Sequence, residues 1–223
     1  MMNNLSSPRA ILFDLDGTLL DTARDMGNAL NLMLKQHDLP PRHYSEYRPI
    51  ASHGAKGMLS LGFGERLESL NYDQLRTDFL RYYARQLQQH TCLFDGVALL
   101  IAGLEEAGLP WGIVTNKPGH LTIPLLQHFP ELSQADVVIS GDTLPQRKPH
   151  PAQLLLAQKE LAVDPGCIWY IGDAERDMQA ARAASMVPVL AEYGYICPSE
   201  YPHQWDTALR ISRPDQLLEY LSS

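Results

Sequence analysis

The chain has 223 residues, of which 45% are hydrophobic and 20% charged, and its formal net charge is −8. That is enough apolar material for a sizeable core in one or two domains, and it excludes a disordered chain. The acidic balance argues against nucleic-acid binding, which needs a basic face, and no apolar run is long enough to span a bilayer.

The first strong element is a short apolar run at 10–13 that ends at Asp14. Directly after it comes Asp14-Leu-Asp16-Gly-Thr18. Two acids two residues apart at a strand end, with Gly17 turning the chain, are placed to converge on one site. Taken alone the run reads equally well as a polar turn. An EF-hand loop is excluded by spacing, because Leu19 stands where its glycine belongs and Asp25 where its glutamate belongs.

From about Asp21 to His90 the periodicity is helical and no strand is expected. Met26, Leu30, Met33 and Leu34 form one apolar stripe, and Leu75, Phe79, Tyr82 and Leu87 another. Between them, Ser52-His-Gly-Ala-Lys-Gly57 reads as a glycine-punctuated turn. The segment is expected to be a helical insertion, with exits near 20–22 and 91–96.

Beyond it, short runs rich in Val and Ile at 111–115, 137–140, 168–172 and 187–191 alternate with helical stripes such as Val97, Leu100, Ile101 and Leu104. Strands alternating with helices predict βαβ units and a parallel sheet buried on both faces, with ligands at the carboxyl ends of the strands. Three of these runs lead into chemistry. Thr115-Asn116-Lys117 offers a hydroxyl and backbone N–H groups suited to a phosphate oxygen, or merely a helix cap. Lys148, before Pro149, is held extended over a site or simply solvated. Gly172-Asp173 with Asp177 four residues on reads as a metal site, or as a capped helix. In one parallel sheet, Asp14, Asp16, Thr115, Lys148 and Asp173 all meet at one edge. Carboxylates gathered there repel unless a cation sits among them, and oxygen-only ligands select a hard ion such as Mg2+.

These four motifs, in this order, resemble those of the haloacid dehalogenase (HAD) superfamily of phosphohydrolases. The resemblance covers essentially the whole chain and implies an α/β, Rossmann-like parallel-sheet core (residues 1–20 and 92–223). It also implies a small all-helical cap (residues 21–91) inserted after the first strand. Within the family, FDLDGTLLDT, VTNKP and KPHP resemble the phosphoglycolate phosphatase branch. Residues 193–196 with Pro198, Glu200 and Trp205 resemble bacterial N-acetylmuramic acid 6-phosphate phosphatases. Ala174 departs from the pattern, since relatives often carry threonine or serine there.

The resemblance implies Mg2+-dependent hydrolysis of small phosphate monoesters through an aspartyl-phosphate. Asp14 is then the nucleophile, Asp16 the general acid and base, and Lys148 the charge partner. Metal ligands would be the Asp14 carboxylate, the Asp16 carbonyl and Asp173, with Asp177 acting through water or orienting Lys148. Thr115, Asn116 and Lys117 on the core, and His53, Gly54, Lys56 and Arg24 on the cap side, are the candidates to bind substrate. For the turn residues, a solvated interhelical loop is an equally simple reading. The expected partner is a small phosphorylated metabolite such as 2-phosphoglycolate or N-acetylmuramic acid 6-phosphate, with no nucleic acid and no membrane, the chain being a monomer or homodimer. A phosphomutase of the same fold, or a non-catalytic sensor of phosphometabolites, are the rival readings. Cys92, Cys167 and Cys197 form no C-x-x-C pair, and MMNNLSSPR carries no signal pattern, so a reducing, cytoplasmic setting is expected.

Overall fold

In a computed structural model of the chain, residues 5–221 are described. The first four residues of the amino-terminal stretch read above, and the side chain of Pro198, lie outside that description.

Strand β1 (Ala10–Phe13) is buried at all four positions, which is why its sequence is a continuous apolar run rather than an alternating one. It pairs on one side with β4 (Trp111–Val114) and on the other with β6 (Ile168–Gly172). With β5 (Val137–Ile139), β7 (Val187–Ala191) and β8 (Leu209–Ile211) it forms a six-stranded sheet in the order β5-β4-β1-β6-β7-β8. Every pairing is parallel. The α/β sheet architecture is therefore as expected. Strand β8 is an addition at the edge: its three residues include Arg210 and only Ile211 is buried, too weak a pattern to read from sequence.

The two faces of β1 belong to separate cores. Ile11 and Phe13 pack with the stripe of α5 (Val97–Glu106) and with α6 (Gly119–Leu126). Ala10 and Leu12 pack with α7 (Ala152–Leu161) and with Ala180, Ala181 and Ala184 of α8 (Glu175–Ala183) and its end. The chain runs from β1 to β4 and β5 on one side, then crosses to β6 on the other. That reversal opens a crevice at the carboxyl ends of β1 and β6.

Between β1 and α5 lies the helical insertion. It holds α1 (Ala23–Gln36), α2 (Tyr44–Tyr47), a 3-10 turn (Arg48–His53), α3 (Gly54–Phe63) and α4 (Tyr72–Ala84). The expected stripe of α1 is buried, and so are Leu75 and Phe79 of α4. Residues 22–90 hold no strand, as expected, but the exits themselves do. Leu20–Asp21 (β2) and Cys92–Leu93 (β3) form a two-stranded antiparallel ribbon that carries the chain out and back. Asp25, fully buried, ties the two crossings together by accepting from the N–H groups of His90 and Thr91 and from the Thr91 hydroxyl. The Tyr195 hydroxyl accepts from the Thr22 and Ala23 N–H groups and donates to Asp21. It thereby satisfies donors that a helix start leaves orphaned.

The glycine turn at 52–57 also needs correction. Gly54, at φ 59°, separates the 3-10 turn from α3, and residues 54–57 are the first turn of that helix. Gly57 is small because the His53 side chain packs against it, not because the chain bends there.

Candidate active site

The carboxyl end of β1 delivers Asp14, and β6 delivers Asp173. Asp177 follows one turn into α8, where its Oδ2 accepts from the Ala174 N–H at 3.1 Å. That bond is the carboxylate half of a capping box; alanine at 174 has no hydroxyl to supply the other half. The loop before α7 brings Lys148 over the same point, and Asn116 holds it there. Asn116 Oδ1 accepts from the Lys148 N–H at 3.1 Å, and its Nδ2 donates to the Lys148 carbonyl at 3.0 Å. The side-chain amide of Asn116 is thus engaged by the Lys148 backbone, while the residue itself lines the cleft.

Asp14, Asp173 and Asp177 are all buried, and one oxygen of each lies within 4.8 Å of the others. Lys148 Nζ sits 3.1 Å from Asp14 Oδ1 and 2.8 Å from Asp177 Oδ1. It also donates to the Val114 carbonyl and the Tyr170 hydroxyl. Burial opposes ionisation of Asp177, but Lys148, Arg176 and the Ala174 N–H outweigh it and hold its carboxyl below the usual range. Burial, with Asp177 adding, pushes Asp14 up against the pull of Lys148. Burial and the charges of Asp177 and Asp14 push Asp173 up to about 7.

Asp173 is the group that asks for a cation. Its Oδ2 accepts from Ser52 Oγ at 2.5 Å and from the Tyr195 N–H at 2.8 Å, but its buried Oδ1 has no partner among the described residues. A buried carboxylate oxygen left bare among two other acids fits a hard divalent ion. Asp177 lies in the same triad, yet both its oxygens are engaged, by Lys148 and Ala174. The donor set present therefore fits a cation held by Asp14 and Asp173, with Asp177 orienting Lys148. Gly17, at φ 83°, lies so close that a Cβ there would run into the Asp173 carboxylate.

Above this point opens a cleft of about 290 Å³. The core contributes Asp14, Asp16, Thr115 and Lys117, and the insertion contributes His53, Gly54 and Lys56. Lys117 was expected to meet a substrate anion, but its three ammonium donors are committed. They go to Asp16 Oδ1 at 3.0 Å, Asp16 Oδ2 at 3.2 Å and the Tyr83 hydroxyl at 2.6 Å. His53 lies 2.7 Å from Glu200. Arg24 does not line the cleft. It is exposed and stacks over the Tyr44 ring, 5.0 Å from its centroid.

Several lining residues escaped the sequence reading. Arg176 stands between Asp173 and Asp177, with Nη2 3.8 Å from Asp14 Oδ2. Tyr72, Arg76 and Tyr83 come from α4 and Arg147 from the residue before Lys148. The i, i+4, i+11 spacing of the α4 residues was the available signal, masked by the apolar stripe between them.

A family profile described as haloacid dehalogenase-like hydrolase matches residues 11–191. The chain belongs to that family. This HAD-like hydrolase is 42% identical over 95% of its length, and 96% of the relative's, to a phosphoglycolate phosphatase of Xanthomonas campestris pv. campestris. It is 37% identical over 96% of its length, and 94% of the relative's, to an N-acetylmuramic acid 6-phosphate phosphatase of Pseudomonas aeruginosa. Among solved structures, a predicted phosphoglycolate phosphatase from Haemophilus somnus 129pt superposes with a TM-score of 0.82 at 23% identity, covering 97% of this chain and 99% of that one. The HAD-like hydrolase is therefore an enzyme, its curated relatives are phosphatases, and its fold is theirs. No helix among the described residues is long and apolar enough to cross a membrane.

Proposed function

We propose that this HAD-like hydrolase is a magnesium-dependent phosphatase of small phosphate monoesters that also carry a carboxylate. N-acetylmuramic acid 6-phosphate and 2-phosphoglycolate are the two candidates. The observation that carries the chemistry is that Asp14 and Asp16 line one cleft while Lys148 and the bare Asp173 Oδ1 are buried beside Asp14.

In this reading residues 1–20 and 92–223 are the catalytic core and residues 21–91 the cap. Asp14 attacks phosphorus and becomes an aspartyl-phosphate while the bond to the ester oxygen breaks. An alkoxide is a poor leaving group, so Asp16 gives it a proton. The same carboxylate then takes a proton from the water that releases phosphate and frees Asp14. The Thr115 hydroxyl and nearby N–H groups hold phosphate oxygens, and Lys148 holds their growing charge. Bound magnesium, on Asp14, the Asp16 carbonyl and Asp173, supplies the positive charge that lets a carboxylate approach a phosphate dianion. The free cysteines accord with a reducing, cytoplasmic setting.

The carboxylate is inferred from the far side of the cleft. Lys56 and Arg76 from the cap and Arg147 from the core line it, and none has an ion pair or side-chain hydrogen bond among the described residues. The first turn of α3 faces the same space with no side chain capping it, and a helix start favours an anion. In a chain of net charge −8, three unpaired cations at one cleft fit a second anionic group on the substrate. The volume favours the sugar ester, because a two-carbon ester leaves room for several waters at about 30 Å³ each.

The deciding experiment is phosphate release, with magnesium and with EDTA, from N-acetylmuramic acid 6-phosphate, 2-phosphoglycolate, glucose 6-phosphate and a nucleoside monophosphate. Magnesium-dependent release with kcat/KM at least tenfold higher on the first two is expected. Isomerised sugar phosphate without phosphate release, or equal rates across the panel, would overturn it.

A further inference from the structure

Tyr83 stands on the last turn of α4, within the proposed cap, while Asp16 and Lys117 stand on core loops after β1 and β4. Its hydroxyl oxygen accepts from Lys117 Nζ at 2.6 Å, and the same amine grips both oxygens of Asp16. Tyr83 and Lys117 are buried, and the Asp16 side chain is 19% exposed. Burial holds the phenol neutral, up at about 12. The charge of Asp16 and the contact with Tyr83 keep the Lys117 amine protonated although burial opposes it.

Asp16 has no other side-chain partner among the described residues. A carboxylate on a turn at the wall of a cleft, still partly exposed, has several rotamers available. Two contacts from one buried ammonium select one of them. The ammonium in turn needs a third acceptor, and the core does not provide it: the acceptor arrives on the cap. Ser52, which lines the same cleft, repeats the pattern, since its hydroxyl donates from the cap to the core residue Asp173.

We infer that Lys117 is a positioning residue that fixes the Asp16 carboxyl toward the leaving oxygen, and that Tyr83 makes this fixing conditional on the cap lying over the site. The inference rests on the acid and base role given to Asp16 above. Its consequence is coupling. A substrate that holds the cap down also completes the Tyr83–Lys117–Asp16 chain, so protonation of the leaving group is ready only when the leaving group is enclosed.

The test compares two esters on the magnesium-loaded enzyme. Glycerol 2-phosphate has an alkoxide leaving group that needs a proton, and p-nitrophenyl phosphate has one that leaves without it. Tyr83→Phe keeps the ring and removes only the hydroxyl, whereas Lys117→Met removes the amine. Tyr83→Phe is expected to lower kcat on glycerol 2-phosphate about tenfold with KM within twofold of wild type, and Lys117→Met about 100-fold. Single-turnover release of p-nitrophenolate, with enzyme in excess, should stay within threefold of wild type in both. Equal losses on the two esters, or a loss in KM alone, would mean a structural or binding role and overturn the inference. Asp16→Ala is the control. If it shows the split and Tyr83→Phe does not, the inference alone fails. If Asp16→Ala shows no split, the acid role fails and takes the inference with it.

Discussion

Lys148 Nζ lies 2.8 Å from Asp177 Oδ1, with both side chains wholly shielded from solvent, while Asp14 lies 3.1 Å away on the same amine. The lysine is thus held between the carboxylate proposed to attack phosphorus and the one proposed to orient the lysine. Asp177→Asn keeps the shape and removes the charge. Lys148 would retain Asp14, Val114 and Tyr170, so the cost should be that of one charged hydrogen bond, about 1.5–3 kcal/mol in urea unfolding, rather than that of an orphaned buried ion. Turnover should fall at least tenfold. An unchanged rate would mean that Asp177 does not orient the lysine.

Asp14→Asn and Asp16→Ala separate two roles. Asp14→Asn should abolish turnover in metal-replete protein while leaving the fold intact. In EDTA it should be no less stable than wild type, because it removes one of three clustered acids. Asp16→Ala should fall well below a tenth of the wild-type rate, since acid–base catalysis typically contributes ~10²–10⁴-fold. Steady-state kinetics and thermal melts check both.

Asp173 predicts a pH effect on metal-free protein. Its carboxyl is raised from 3.8 to about 7, so between these values the folded chain binds a proton that the unfolded chain does not. Its contribution to stability is greatest at low pH and is lost as pH rises toward and through about 7, by at most about 4 kcal/mol. In EDTA, wild type should therefore lose stability relative to Asp173→Asn between pH 5 and pH 8, measured by urea unfolding. Saturating magnesium should remove that difference for wild type.

Gly17 cannot take a side chain without moving Asp173, and its φ of 83° suits glycine alone. Gly17→Ala should weaken magnesium affinity at least tenfold in calorimetric titration and lower turnover to match. Unaltered magnesium binding would place the cation elsewhere.

Arg76 tests the second anion. Arg76→Ala should lower kcat/KM for the preferred carboxylated ester by about 10–100-fold and for glucose 6-phosphate by less than threefold. Equal losses would assign Arg76 to the phosphate itself.

What the amino-acid sequence determined by itself was whatever lies within a few residues of a strand end. The apolar runs set β1, β4, β5, β6 and β7. The polar residues that follow them set Asp14, Asp16, Thr115 and Asp173, because a parallel sheet buried on both faces leaves only its carboxyl edge for polar chemistry; Lys148, farther from β5, was marked by the proline after it. The hinge strands β2 and β3 and the edge strand β8 stayed hidden, two or three residues each being too short to show a period. Only the tertiary structure decided the partners across the cleft. Lys117 looked free for a substrate and is bound to Asp16 and Tyr83. Arg24 looked like a cap contact and lies on Tyr44. Arg76 and Ser52 carried no signal of their own. The pairings that join the insertion to the sheet, Tyr83 with Lys117 and Ser52 with Asp173, link residues 34 and 121 positions apart, and their geometry is set by how the helices of the insertion dock onto the sheet, which no local pattern of residues encodes.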